Sequence, residues 1–145
     1  MKKIILLITV LVLLLLSFGS YYFIKWHETQ VLNQAISEVR SLAQIGNFER
    51  ALTICDRMST IRALTKDTCY FTYLGLKLTD LKVYLQNATL EEQLLVHKNI
   101  KIATVEVCKK VASKDSLDVC SNILLQLHLQ EEMSGKLKNN TDGTS

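Results

Sequence analysis

From Ile4 to Ile24, in IILLITVLVLLLLSFGSYYFI, the chain is mainly apolar with no charge and no proline, and from Glu28 onward apolar residues recur every three or four positions between polar ones. The first pattern is that of a segment surrounded by an apolar medium, the second that of amphipathic helices. Residues 4–24, coiled at about 1.5 Å per residue, make a rod of roughly 30 Å, the thickness of a bilayer's hydrocarbon core. Lys2 and Lys3 stand before it and Lys25 after it, and Tyr21, Tyr22, Phe23 and Trp26 cluster where headgroups would lie. The chain therefore divides into a short cytoplasmic end (1–3), a transmembrane signal-anchor (4–24), an extracytoplasmic helical domain (28–133) and a polar tail (134–145) expected to be disordered. Ser17 and Gly19 also fit a signal-peptidase site, so a secreted form after cleavage stays open as the alternative. Both readings carry residues 28–145 across the membrane.

About five helices follow from the period of the pattern. Val31, Leu32, Ala35, Ile36, Val39, Leu42 and Ala43 form the stripe of a first soluble helix, Glu28 to Ile45, which Gly46 stops and Asn47 follows as a cap. A second, from Phe48 to about Met58, turns Phe48, Ala51, Leu52, Cys55 and Met58 to one side. A third begins near Lys66, with Asp67 suited to its positive end and Cys69, Tyr70, Tyr73, Leu74 and Leu76 on its buried face. Thr89-Leu90-Glu91-Glu92 is a capping box that opens a fourth helix, reaching Ala112 with Leu94, Leu95, Lys98, Ile102, Val105 and Cys108 along its inner stripe. The last runs from Ser116 to Met133, with Leu117, Cys120, Ile123, Leu124, Leu127 and His128 inside. The chain has no proline and five glycines, and it carries no strand signal.

The four cysteines fall as two local pairs, Cys55 with Cys69 and Cys108 with Cys120, each straddling a turn between helices. Inward residues equidistant from the turn of a helical hairpin approach to the ~5.5 Å Cα separation that a disulfide needs. An even number of cysteines in an exported chain fits two disulfides in an oxidising compartment. Zinc would call for cysteines two to four residues apart, and no such pair exists, so neither metal nor cofactor is expected.

Charge narrows the partners. Of 17 basic residues, Lys2, Lys3 and Lys25 flank the anchor, which leaves 14 against 14 acidic ones in the rest of the chain. A neutral domain lacks the electrostatic footprint of a nucleic-acid binder.

Two resemblances add to this reading. Ala43-Gln44-Ile45-Gly46-Asn47-Phe48-Glu49-Arg50-Ala51-Leu52 resembles the middle of a tetratricopeptide repeat, which implies a helix-turn-helix repeat unit and no specific ligand. Cys55-Asp56-Arg57-Met58 with Lys66-Asp67-Thr68-Cys69-Tyr70, and again Cys108-Lys109-Lys110-Val111 with Asp118-Val119-Cys120, resemble the paired-cysteine helical repeats of small archaeal exported proteins. The second copy keeps the cysteines and loses the tyrosine. The expected fold class is thus all-α: an N-terminal transmembrane helix followed by a disulfide-stapled, tetratricopeptide-like domain of about five helices.

No catalytic constellation emerges. His27, His97 and His128 have no companion at one-turn spacing, and the neighbours Glu91–Glu92 and Glu131–Glu132 point in different directions along a helix. Tyr70, Tyr73 and Tyr84 are read as core aromatics before they are read as a ligand strip. Asn87-Ala88-Thr89 and Asn139-Asn140-Thr141 match the N-glycosylation acceptor. The chain reads as a non-enzymatic, single-pass cell-membrane protein whose outer domain binds another protein, as an accessory subunit of an envelope complex. A small binder of lipid or another apolar ligand, held around Tyr70, Tyr73 and Leu74, is the alternative.

Overall fold

With no proline to interrupt it, the chain folds, over the described residues, as helices joined by short turns. The computed structural model describes residues 2–60, 62–85 and 89–141, and side chains over 8–60, 62–84, 89 and 91–129. The helices are α1 (Lys2–Gln44), α2 (Phe48–Arg57), α3 (Ala63–Leu85), α4 (Leu90–Cys108) and α5 (Lys114–Thr141). No strand occurs among the described residues. The all-α class and the two stapled hairpins agree with the sequence.

The apolar segment and the first amphipathic stripe share one rod, the 43-residue α1. None of Lys25, Trp26 and His27 breaks a helix, and the Thr29 hydroxyl donates to the Lys25 carbonyl across the junction at 2.8 Å. Residues 8–27 are exposed on every side, and this part of α1 is long and apolar enough to cross a bilayer. From Glu28 onward one face turns inward, burying Ala35 and Val39 beside half-buried Val31, Leu32 and Leu42. Gly46 ends the rod at φ +74°, a left-handed conformation that costs glycine little, and the Asn47 side chain accepts from the Arg50 amide at 3.2 Å to start α2.

Disulfides then clip both hairpins. Cys55–Cys69 joins α2 to α3 and Cys108–Cys120 joins α4 to α5, each with Cα atoms 5.6 Å apart. α1 packs on α2 and α3, and α3 packs on α4, so the core is one cluster shared by the helices. Its fully buried members include Val39, Ala51, Cys55, Cys69, Tyr73 and Val107. Because α1 and α2 are antiparallel, the α2–α3 turn returns to the end of the domain next to the apolar segment. There Thr60 donates to the Glu28 carboxylate at 3.3 Å, Arg62 pairs with the same carboxylate at 3.3 Å, and its guanidinium stands over the Tyr21 ring.

Asp67 ties the second hairpin to the first. It lies past the first turn of α3, so its task is not the dipole contact that the sequence suggests. Its carboxylate, 1% exposed, accepts from the Ala112 amide at 3.1 Å and the Ser113 amide at 2.9 Å, in the turn between α4 and α5. Ser113 in turn caps α5 by accepting from the Ser116 amide, at 3.3 Å. Burial pushes the Asp67 carboxyl up, but hydrogen bonds from Ser113, Ser116 and the Ala112 amide outweigh it and hold it below its ordinary value of 3.8.

Four boundaries and one face differ from expectation. α3 begins at Ala63, three residues early, and the second turn shifts toward the N-terminus: α4 ends at Cys108 and not at Ala112, and α5 begins at Lys114, two residues early, where Ser113 caps it. α5 continues to Thr141, past the Met133 boundary where the polar tail was placed, since elongating an existing helix adds a hydrogen bond for each residue fixed and only Gly135 opposes it. In α4 the inner stripe is Val96, Ala103, Thr104 and Val107, whereas Leu94, Leu95 and Ile102 are 52%, 59% and 56% exposed. Apolar residues surround α4, so periodicity supports either face; the small Ala103 and Thr104 let α3 approach closely, and that selects the side. On α5, Cys120 is buried and Ile123, Leu124 and Leu127 are half-buried as expected, while Leu117 and His128 are exposed.

Two outcomes follow. Opening either disulfide by paired Cys→Ser substitution lowers the unfolding free energy by about 3 kcal/mol, and opening both approaches the whole stability of a domain of this size; urea titration of the detergent-solubilised chain by circular dichroism measures it. Asp67→Ala, which takes the acceptor away from the part-buried bonds to the Ala112 and Ser113 amides, costs about 1–2 kcal/mol. Since the folded-state pKa of Asp67 is depressed, its contribution is complete above about pH 4 and is lost as the pH falls through the lower folded value. The wild-type chain therefore loses stability more steeply as the pH falls below about 4 than Asp67→Asn, whose amide oxygen still accepts and does not titrate; equal acid slopes would remove Asp67 from the account.

Candidate functional site

The polar side chains that converge most closely lie at the stapled end. Asp56 follows Cys55, and Tyr70 follows Cys69, so the disulfide that joins the two helices brings these neighbours together: the Tyr70 hydroxyl donates to Asp56 Oδ1 at 2.8 Å. Lys110, in the turn after α4, reaches across from the second hairpin and donates to both Asp56 oxygens, at 2.9 and 2.8 Å. Lys66 donates to the Asp56 main-chain carbonyl at 2.9 Å, satisfying an acceptor at the C-terminal end of α2. Beneath this cluster lies buried Cys55–Cys69, and beside it Asp67 holds the 112–113 turn.

The electrostatics of the cluster favour holding over reacting. Burial pushes the Asp56 carboxyl up, yet hydrogen bonds from Lys110 and Tyr70, with the charges of Lys110 and Lys66, keep it below its ordinary value. Burial and the neighbouring Asp56 carboxylate push the Tyr70 phenol well above the usual tyrosine range. Neither group changes protonation near neutral pH, as a general acid or base at this site would have to. The Asp56–Lys110 pair is about one-third exposed, so water screens it and its strength lies in the shared hydrogen bonds with Tyr70.

The residues singled out by sequence are distributed as follows. All four cysteines are spent in the two disulfides, and no free thiol remains. Tyr70 and Tyr73 are core side chains, with Tyr73 against the Phe48 ring at 6.4 Å, whereas Tyr84 is 72% exposed. Tyr70, Tyr73 and Leu74 thus fill the space in which an apolar ligand would sit. His27, His97 and His128 are exposed on α1, α4 and α5 and are not brought together. Glu92 completes the capping box: its carboxylate accepts from the Thr89 amide at 2.7 Å, and that bond holds its pKa low. Asn87 lies outside the described residues. Asn139 falls in the last turns of α5, and its side chain and those of Glu131 and Glu132 lie outside the described ones.

Glu28, Asp56 and Lys110 were missed as contact residues. Glu28 and Asp56 find partners 32 and 54 residues away, a distance at which periodicity carries no information. A local signal exists only for Asp67, as the acid two positions before a cysteine.

α4 and α5 carry most of the exposed large apolar residues of the domain; Ile45, Leu64, Val83 and Tyr84 are exposed elsewhere on it. Leu94, Leu95 and Ile102 lie along α4, and Leu117, Val119, Leu125 and Leu129 along α5, each 47–59% exposed. Next to them an open depression of about 680 Å³ is lined by Lys101, Ile102, Val105, Glu106, Lys109 and Lys110. It is a shallow surface with charged rims. Comparison of the chain with protein-family models, with curated proteins and with solved structures finds no match to any of them.

Proposed function

We propose that this chain is a non-catalytic, membrane-anchored protein whose stapled hairpins form a short repeat stack outside the cytoplasm, the exposed side of which binds another protein. The observation that carries the reading is the uncovered apolar side of α4 and α5. Isolated exposed leucines are ordinary on a protein surface, but seven large apolar residues exposed on two adjacent helices, against four on the rest of the domain, support an interaction surface. Repeat stacks end in polar caps, and this one ends in leucine and isoleucine. A protein partner is favoured over a lipid or other apolar ligand because the inter-helix space around Tyr70, Tyr73 and Leu74 is filled by those side chains. Anchoring is supported by the exposed apolar rod running unbroken into the folded domain, and placement outside the cytoplasm by the disulfides.

The full-length chain, extracted from its host membrane in mild detergent, is expected to migrate as a complex heavier than the monomer, and Leu95→Lys with Ile102→Lys to release it. Recovery of the wild-type chain as a monodisperse monomer sinks the binding reading. Intact mass of the same material tests the anchor separately: residues 1–19 are retained if the segment spans the bilayer and missing if it is cleaved after Gly19.

A further inference from the structure

The two stapled hairpins are in register, and the register names what belongs on the open side of α5. Aligned on their closing cysteines, Cys69 and Cys120, α3 and α5 place Asp67 opposite Asp118, Leu74 opposite Leu125 and Leu78 opposite Leu129. In α3 this stripe, at spacings of seven and four, faces the second hairpin: Asp67 accepts from the Ala112 and Ser113 amides, Leu74 is 3% exposed, and Leu78 packs on the core. In α5 the same stripe is bare, with Asp118 exposed, Leu125 at 57% and Leu129 at 48%. The same relation precedes them both, since α1 presents Glu28 to the α2–α3 turn through Thr60 and Arg62. Each odd-numbered helix thus offers an acid to the next turn, and the third acid has no turn to receive it.

Resting on the reading that this side binds protein, we infer that α5 receives a helical hairpin from a different polypeptide, docked in the register in which α3 receives α4 and the α4–α5 turn. The occupant's turn donates free main-chain amides to Asp118, and its helix lays apolar residues on Leu125 and Leu129. Charge adds a further requirement. Within the chain, Lys110 of the incoming hairpin pairs with Asp56, the residue after Cys55; the residue after Cys108 is Lys109, exposed, so the incoming hairpin carries an acid there. A second copy of this chain does not meet these terms. Its α2–α3 turn is already held by its own Glu28 and its α4–α5 turn by its own Asp67, and a copy anchored in the same bilayer stands parallel, with its remaining connections at the far end of the domain.

The test places a photo-crosslinking amino acid at Leu125, at Leu129 or, on α4, at Ile102, in the full-length chain within its native membrane, and maps the joined peptides by mass spectrometry. Expected are adducts from 125 and 129 to one helix-turn-helix segment of another protein. Asp118→Lys should cut their yield about tenfold or more, whereas Asp118→Asn, which still accepts a hydrogen bond, should keep most of it. Because 118, 125 and 129 are exposed, intact disulfides on a non-reducing gel confirm that each variant folds. Adducts from Ile102 alone would leave protein binding standing and overturn this register. Adducts to a second copy, or a yield indifferent to Asp118→Lys, would overturn the occupant. No adducts from any position would remove the binding reading itself.

Discussion

A buried carboxylate joining two covalently closed hairpins is the contact on which this architecture turns. Asp67 lies on α3, 1% exposed, yet satisfies main-chain amides in the turn between α4 and α5. Without that acceptor two main-chain donors of the second hairpin would lose their partner at the point where it meets the first. The disulfides make each hairpin a unit, and Asp67, with Lys110 reaching Asp56, makes the two units one body.

Such covalent and polar joints suit the size of the domain. Hairpins of two short helices cannot bury enough apolar surface to offset the entropy of ordering them, and small exported domains commonly make up the difference with disulfides. The staples also fix which helix faces are inner, since Cys55, Cys69 and Cys120 must all point inward to meet their partners. Polar groups next to the cysteines are then carried along. Asp56 and Tyr70 meet because each follows a bonded cysteine, and the cluster they form with Lys110 is held in one protonation state near neutral pH.

α1 links this domain to its surroundings mechanically. One unbroken rod carries both the exposed apolar segment and the stripe that packs on α2 and α3, and Arg62 touches both parts of it, Tyr21 on one side and Glu28 on the other. The stapled turns therefore lie at the end of the domain nearest the apolar segment, and the domain's orientation follows from helix direction alone.

Local chemistry determined what could be read from the sequence alone. Helix content, the Gly46 stop, the Asn47 cap, the capping box at Thr89 and the inner faces of α1, α2 and α3 each depend on residues within one or two turns, and all were legible. The cysteine pairs were legible too, because a disulfide across a hairpin is a local contact. Tertiary structure decided the rest. α4 has apolar residues on both sides, and only its packing against α3 made Val96, Ala103 and Val107 the inner ones and left Leu94, Leu95 and Ile102 outside. Glu28, Asp56 and Asp67 found partners 32 to 54 residues away, and no pattern along the chain encodes a distance that exists only after two hairpins have packed together.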